Sequence, residues 1–172
     1  MSLISRLFRA TPRRETLDPL YLAIVTAGRD PVWYRAGGVP DTIDGRFDMI
    51  AMLTALVLLR LEREEPGKEA AALLTELFVA DMDSSLRQIG IGDYVVGKHV
   101  GRMMGALGGR LAAFRAAEDR ETLTGAVERN VFRGAPPSPE ALALVTARLD
   151  AFRTALTETA LKTLVAGGLP RP

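Results

Sequence analysis

Apolar positions along the chain recur three and four apart and almost never alternate with polar ones, so the pattern predicts helices and no sustained strand. Asp18-Pro19 starts a first helix that runs to about Gly28, with Asp18 as its cap. Asp30-Pro31 repeats the signal for a short helix ending near Gly37-Gly38, and residues 38–45 form a loop. Asp44 is placed to cap the next helix, about 45–64, whose apolar residues wrap nearly all round and mark it as central. Glu65-Pro66-Gly67 breaks it. A long helix over about 68–89 presents Ala72, Leu73, Leu77, Phe78, Met82, Ser85, Leu86 and Ile89 as its inner stripe, and Gly90 ends it. Asp93 caps a helix over about 93–118 with Val96, Val100, Met103, Leu107, Leu111 and Phe114 facing inward. A helix over about 120–133 follows. Pro136-Pro137 then stops the chain, and Ser138-Pro139-Glu140 starts a last helix to about Ala166.

The expected fold is all-α: a single compact domain of six or seven helices, with a long antiparallel hairpin around residues 68–118. The chain divides into a basic segment (1–14), the helical domain (15–167) and a tail (168–172).

Within the second arm of the hairpin, Gly97, Gly101, Gly105 and Gly109 fall four apart. Each interior glycine costs a helix roughly 0.5–1 kcal/mol relative to alanine. Close approach of another helix is the physical reason available. That helix is either the preceding arm of the hairpin or a partner's helix lying in a groove, with Met103 and Met104 alongside.

Composition narrows the chemistry. The 172 residues are 48% hydrophobic and 25% charged, with a net charge of +1, as in an ordinary globular domain and unlike a strongly basic nucleic-acid binder. Cysteine is absent and His99 is the only histidine, which excludes disulfides, thiolate metal sites, cysteine nucleophiles and two-histidine metal motifs. Asp81-Met82-Asp83 has the form of a DxD metal motif, but on a helix residues two apart point away from each other. Asp83 and Arg87, four apart, are expected to pair instead. Ser84 and Ser85 have no local base and no nucleophile elbow, and no cofactor or metal is expected. The apolar stretch 47–61 is roughly 20 Å long as a helix, too short for a hydrocarbon layer of roughly 30 Å.

The charge balance conceals segregation. Residues 41–83 carry ten acids and four bases, a balance of −6, while residues 84–115 carry one acid and five bases, a balance of +4. The two blocks either neutralise each other across the hairpin or present acidic and basic faces to a partner. Residues 1–14 carry Arg6, Arg9, Arg13 and Arg14 and no acid, beside Leu3, Ile4, Leu7 and Phe8. This is either a frayed terminus or an amphipathic segment for an anionic membrane surface.

The run 77–102, LFVADMDSSLRQIGIGDYVVGKHVGR, resembles the core motif of the ubiquinol–cytochrome c chaperone family, through Asp81-Met82-Asp83, Leu86-Arg87, Gly90-Ile91-Gly92-Asp93 and Val96-Gly97-Lys98. Residues 40–47, PDTIDGRF, are similar to the family's PDTxDGRF segment, and Arg129-Asn130 is similar to a later RN motif. Gln88 stands where the family usually has Glu, and Leu107-Gly108-Gly109-Arg110 replaces an aromatic-Tyr-Gly-Arg segment. The resemblance implies a non-enzymatic assembly factor that binds newly made cytochrome b and aids assembly of the cytochrome bc1 complex. Mitochondrial relatives act with a small partner protein near the ribosome exit and the inner membrane, and the resemblance carries that role to this chain by analogy. With no long presequence, the chain looks like a bacterial member, cytoplasmic and peripheral to that membrane. Asp81, Asp83, Arg87, Asp93, Lys98 and Arg102 are the candidate partner-binding residues; Gly97, Gly101, Met104 and Gly105 are the candidate groove. The alternative is a general membrane-surface or ribosome-associated interaction module.

Overall fold

The helix that is apolar all round lies at the centre of the molecule. In the computed structural model, which describes residues 17–88, 93–133 and 137–172, it spans Ile43–Leu61. Nearly every side chain from Phe47 to Leu61 is buried, Asp48, Thr54 and Arg60 among them. The chain reaches it through α1 (Asp18–Gly28) and α2 (Pro31–Arg35), so the central helix is α3. After it come α4 (Glu65–Gln88), α5 (Asp93–Arg115), α6 (Arg120–Val131), α7 (Pro139–Glu158) and α8 (Leu161–Val165). No strand occurs among the described residues. α3 touches α1, α4, α5, α6 and α7, and α4 packs along α5. Arg115, at the end of α5, donates to Glu62, just ahead of α4, at 2.6 Å, so the two arms run in opposite senses. The fold is the single all-α domain the sequence predicts. No described helix is long and apolar enough to cross a membrane.

Local chemistry sets the boundaries. Asp30 accepts from the Val32 amide at 2.9 Å and Ser138 from the Ala141 amide at 3.2 Å, each capping a helix that opens with proline. Elsewhere the boundaries differ from expectation. Thr42, not Asp44, caps α3 through the Gly45 amide at 3.0 Å, and Asp44 lies inside the first turn. Asp18 likewise sits within α1, and Leu17 holds the cap position without a side-chain bond. α4 begins at Glu65 rather than after Gly67, because proline is tolerated in a first turn where its missing N–H has no intrahelical partner.

Two larger departures have tertiary causes. The stripe that α4 buries is Ala70, Ala71, Leu74, Phe78, Met82 and Leu86, whereas Ala72 and Ser85 are exposed and Leu73 and Leu77 are half-buried. The alanine-rich first turns favour no one face, and contact with α3 decides. The expected last helix is broken at Thr159-Ala160. There Arg60 of α3 donates to the carbonyls of Leu156 (2.8 Å) and Thr159 (2.9 Å), satisfying the end of α7 from outside. The final residues then turn back, with Leu169 against the core and Arg148 donating to the Pro172 carbonyl at 2.5 Å.

Candidate functional site

The loop before α3 holds itself together. Beside the Thr42 cap, Arg46 pairs with Asp41 at 2.7 Å on the surface. A Cβ at Gly45 would lie 1.9 Å from the Pro40 carbonyl oxygen, so only glycine fits there. Phe47 faces inward against Phe78 of α4, with ring centroids 6.0 Å apart, and the Arg110 guanidinium lies 5.8 Å above the Phe47 ring.

Next along α3, Asp48 is 1% exposed and holds two arginines. Arg110 of α5, itself 4% exposed, donates Nη2 to Asp48 Oδ1 and to the Asn130 carbonyl at 2.9 Å. Arg133, after α6, donates Nε to Asp48 Oδ2, Nη2 to Oδ1 at 2.9 Å and Nη1 to Asp44 at 3.3 Å. Arg133 has a left-handed backbone (φ 49°), a conformation that costs a non-glycine residue energy and is held here by those bonds. Burial pushes the Asp48 carboxyl upward and the two guanidiniums pull it back; burial lowers Arg110. The cluster ties α3, α5 and α6 together, and Arg110 Nε is left buried without a partner. The sequence reading did not single out these three residues. Its available signals were a carboxylate inside an all-apolar helix and an arginine one turn after Ala106 on the inward side of α5.

The expected partner-binding residues fall into four groups. Asp81 accepts from the Tyr21 hydroxyl at 2.7 Å, bracing α4 against α1 and raising the Tyr21 pKa through burial and that bond. Asp83 pairs with Arg87 at 2.8 Å, as the spacing predicts. Lys98 and Arg102 are exposed on α5, and Arg102 Nη2 lies 2.7 and 3.0 Å from the two ring nitrogens of His99. Asp93 opens α5, and its side chain lies outside the described set, as do Arg6, Arg9, Arg13 and Arg14. Asp81 and Asp83 therefore point to different partners, and no carboxylate or histidine cluster suited to a metal occurs among the described residues.

The glycine row does not pack on α4. Gly97, Gly101, Gly105, Gly108 and Gly109 are exposed, and a Cβ at any of them meets no described atom within 4 Å. Met104 beside them is half-buried. Gly109, at the end of the row, also lines a cleft of about 590 Å³ between α5 and α6, with His99, Arg102, Arg110, Arg129, Arg133 and Asp44 around Phe47 and Met103. A smaller apolar recess of about 200 Å³ adjoins it, shares Phe47 and Met103, and adds Ile43, Ile50, Met82 and Leu86. The residues of 40–47 and 81–87 thus meet around one recess.

The sequence matches the family model described as ubiquinol-cytochrome C chaperone over residues 35–171. The fold is similar to the crystal structure of the Cbp3 homolog from Brucella abortus, with a TM-score of 0.81 and 31% sequence identity, covering 99% of this chain and 97% of that one. No curated protein matches the chain.

Proposed function

The chain belongs to the ubiquinol–cytochrome c chaperone family, and from that premise we propose that it binds newly made cytochrome b through the outer face of α5 while the cytochrome bc1 complex is assembled. A role as chaperone or assembly factor for that complex follows from the family; the client and its seat are the proposal. One observation carries it: the open row Gly97, Gly101 and Gly105, flanked by Met104. An apolar client helix can approach a backbone without side chains closely, and methionine adapts to varied contacts. Lys98 and Arg102 would then rim the client, and Asp83, Arg87 and Asp93 would extend the surface toward the hairpin tip. Asp81 would act by holding α4 in place. Arg6, Arg9, Arg13 and Arg14 would hold the protein at the anionic inner-membrane surface, within reach of the ribosome and of a small partner protein. The reading requires no catalytic step.

Photo-reactive residues placed at Arg102 and, as a control, at Leu22 on the far side of α1 test it in native membranes. Cytochrome b is expected as the dominant adduct from position 102 and absent from position 22. A mixture of unrelated membrane proteins, or ribosomal proteins alone, would overturn the client assignment in favour of a general interaction module. Lys98→Glu/Arg102→Glu is expected to weaken client capture roughly tenfold with thermal unfolding unchanged. Loss of both together would make the pair structural.

A further inference from the structure

The basic cleft and its apolar neighbour have a chemistry of their own. Four guanidiniums line the cleft, from Arg102 and Arg110 of α5 and from Arg129 and Arg133 of α6 and its end. Two of them are matched: Arg110 and Arg133 converge on Asp48, and Arg133 also reaches Asp44. Arg102 and Arg129 have no carboxylate partner among the described residues. At the base, Arg110 is 4% exposed and its Nε–H has no acceptor, an unmet donor in a water-poor site. Two guanidiniums without a carboxylate partner on the lining of one cleft, Arg102 beside His99 and Arg129 over Gly125, together with the buried Arg110 donor, suit an oxyanion with several acceptor oxygens. Phe47 and Met103 line both the cleft and the mainly apolar recess, whose rim also carries Arg29, Arg46 and Asp81 and where the large apolar Ile43 is 69% exposed. A free anion would leave that recess unfilled.

We propose that the cleft and recess together form one binding site for an anionic phospholipid. The phosphate would lie between Arg102 and Arg129 and the start of an acyl chain over Ile43 and Met103. Arg102 is shared with the client reading, whereas Arg129 of α6 and Ile43 of α3 are not, so substitutions at those two positions test the lipid site by itself.

The test uses the full chain and dihexanoylphosphatidylglycerol below its micelle concentration, with binding followed by calorimetry. This lipid is expected to bind at least roughly tenfold tighter than either dihexanoylphosphatidylcholine or inorganic phosphate. Arg129→Gln, on an exposed side chain, is expected to weaken it roughly tenfold. Ile43→Ser is expected to weaken the lipid and leave inorganic phosphate unchanged. Equal binding of the zwitterionic lipid would overturn the headgroup contact, and equal binding of phosphate would reduce the site to a free-anion cleft. Undiminished binding to Arg129→Gln would place the lipid elsewhere on the chain. Displacement by octaglutamate at equal affinity would reassign the cleft to an acidic protein segment. Crosslinking of cytochrome b to position 102 of the Arg129→Gln variant is expected to persist, so failure of the lipid site and failure of the client reading give different results.

Discussion

Asp48 sits where water does not reach it, and its charge is tolerable only because two guanidiniums surround it. Removing one partner of such a group strands the other. Asp48→Ala is therefore expected to destabilise the protein by about 3–5 kcal/mol, read by chemical denaturation, because Arg110 stays buried with its charge unmatched. Asp48→Leu/Arg110→Met is expected to recover most of that loss. Asp119 shows the opposite exposure. It caps α6 through the Thr122 amide at 2.8 Å, and its bonds to Thr122 hold its carboxyl below the ordinary value. A lowered folded value means that the native state binds fewer protons than the unfolded chain between the two values. The contribution is complete above the unfolded value, about pH 3.9, and is lost as pH falls through the folded one. Asp119→Asn keeps an acceptor at the cap and is expected to flatten that part of the acid limb of melting temperature against pH. The caps at Asp30 and Ser138 were legible because they depend only on neighbours in sequence. Asp48 was not, because its partners lie 62 and 85 residues away.

At the scale of elements, α5 carries glycines that do nothing for its own stability. Since no described atom lies near them, Gly101→Ala and Gly105→Ala are each expected to stabilise the fold by roughly 0.5–1 kcal/mol. Gly67→Ala, where a Cβ would lie 2.1 Å from the Leu61 carbonyl oxygen, is expected to lower the melting temperature. A Gly101→Ala/Gly105→Ala protein that melts higher yet captures less client would identify the row as a binding face rather than a packing one. Most helices were legible in spacing and punctuation, since α1 ends at Gly28 and α5 begins at Asp93 as predicted. The buried face of α4 was not, because alanine and leucine occupy several sides of its first turns. Nor was the break after α7, which depends on Arg60, an arginine 99 residues from the Thr159 carbonyl it binds.

Across the whole molecule, segregated charge is partly resolved where α5 meets the central helix and the link after it, not across the arms of the hairpin. Arg110 and Arg115 of the basic block meet Asp48 and Glu62 of the acidic one, while Lys98 and Arg102 remain on the surface. Removing residues 1–14 is expected to reduce binding to phosphatidylglycerol vesicles, measured by sedimentation at low salt, if the N-terminal arginines tether the protein there. The family was legible in two motifs, whereas the basic cleft was not, because its arginines come from separate helices and no spacing links them. The one tryptophan, Trp33, has a further use. It is fully buried, donates to the Ala27 carbonyl at 2.8 Å, lies beneath the Arg148 guanidinium and lines neither the cleft nor the recess. Its fluorescence therefore watches the junction of α1, α2 and α7. A ligand seated on α5 should leave the emission maximum unchanged, whereas loosening of the domain should shift it to the red, so one spectrum distinguishes occupancy from partial unfolding.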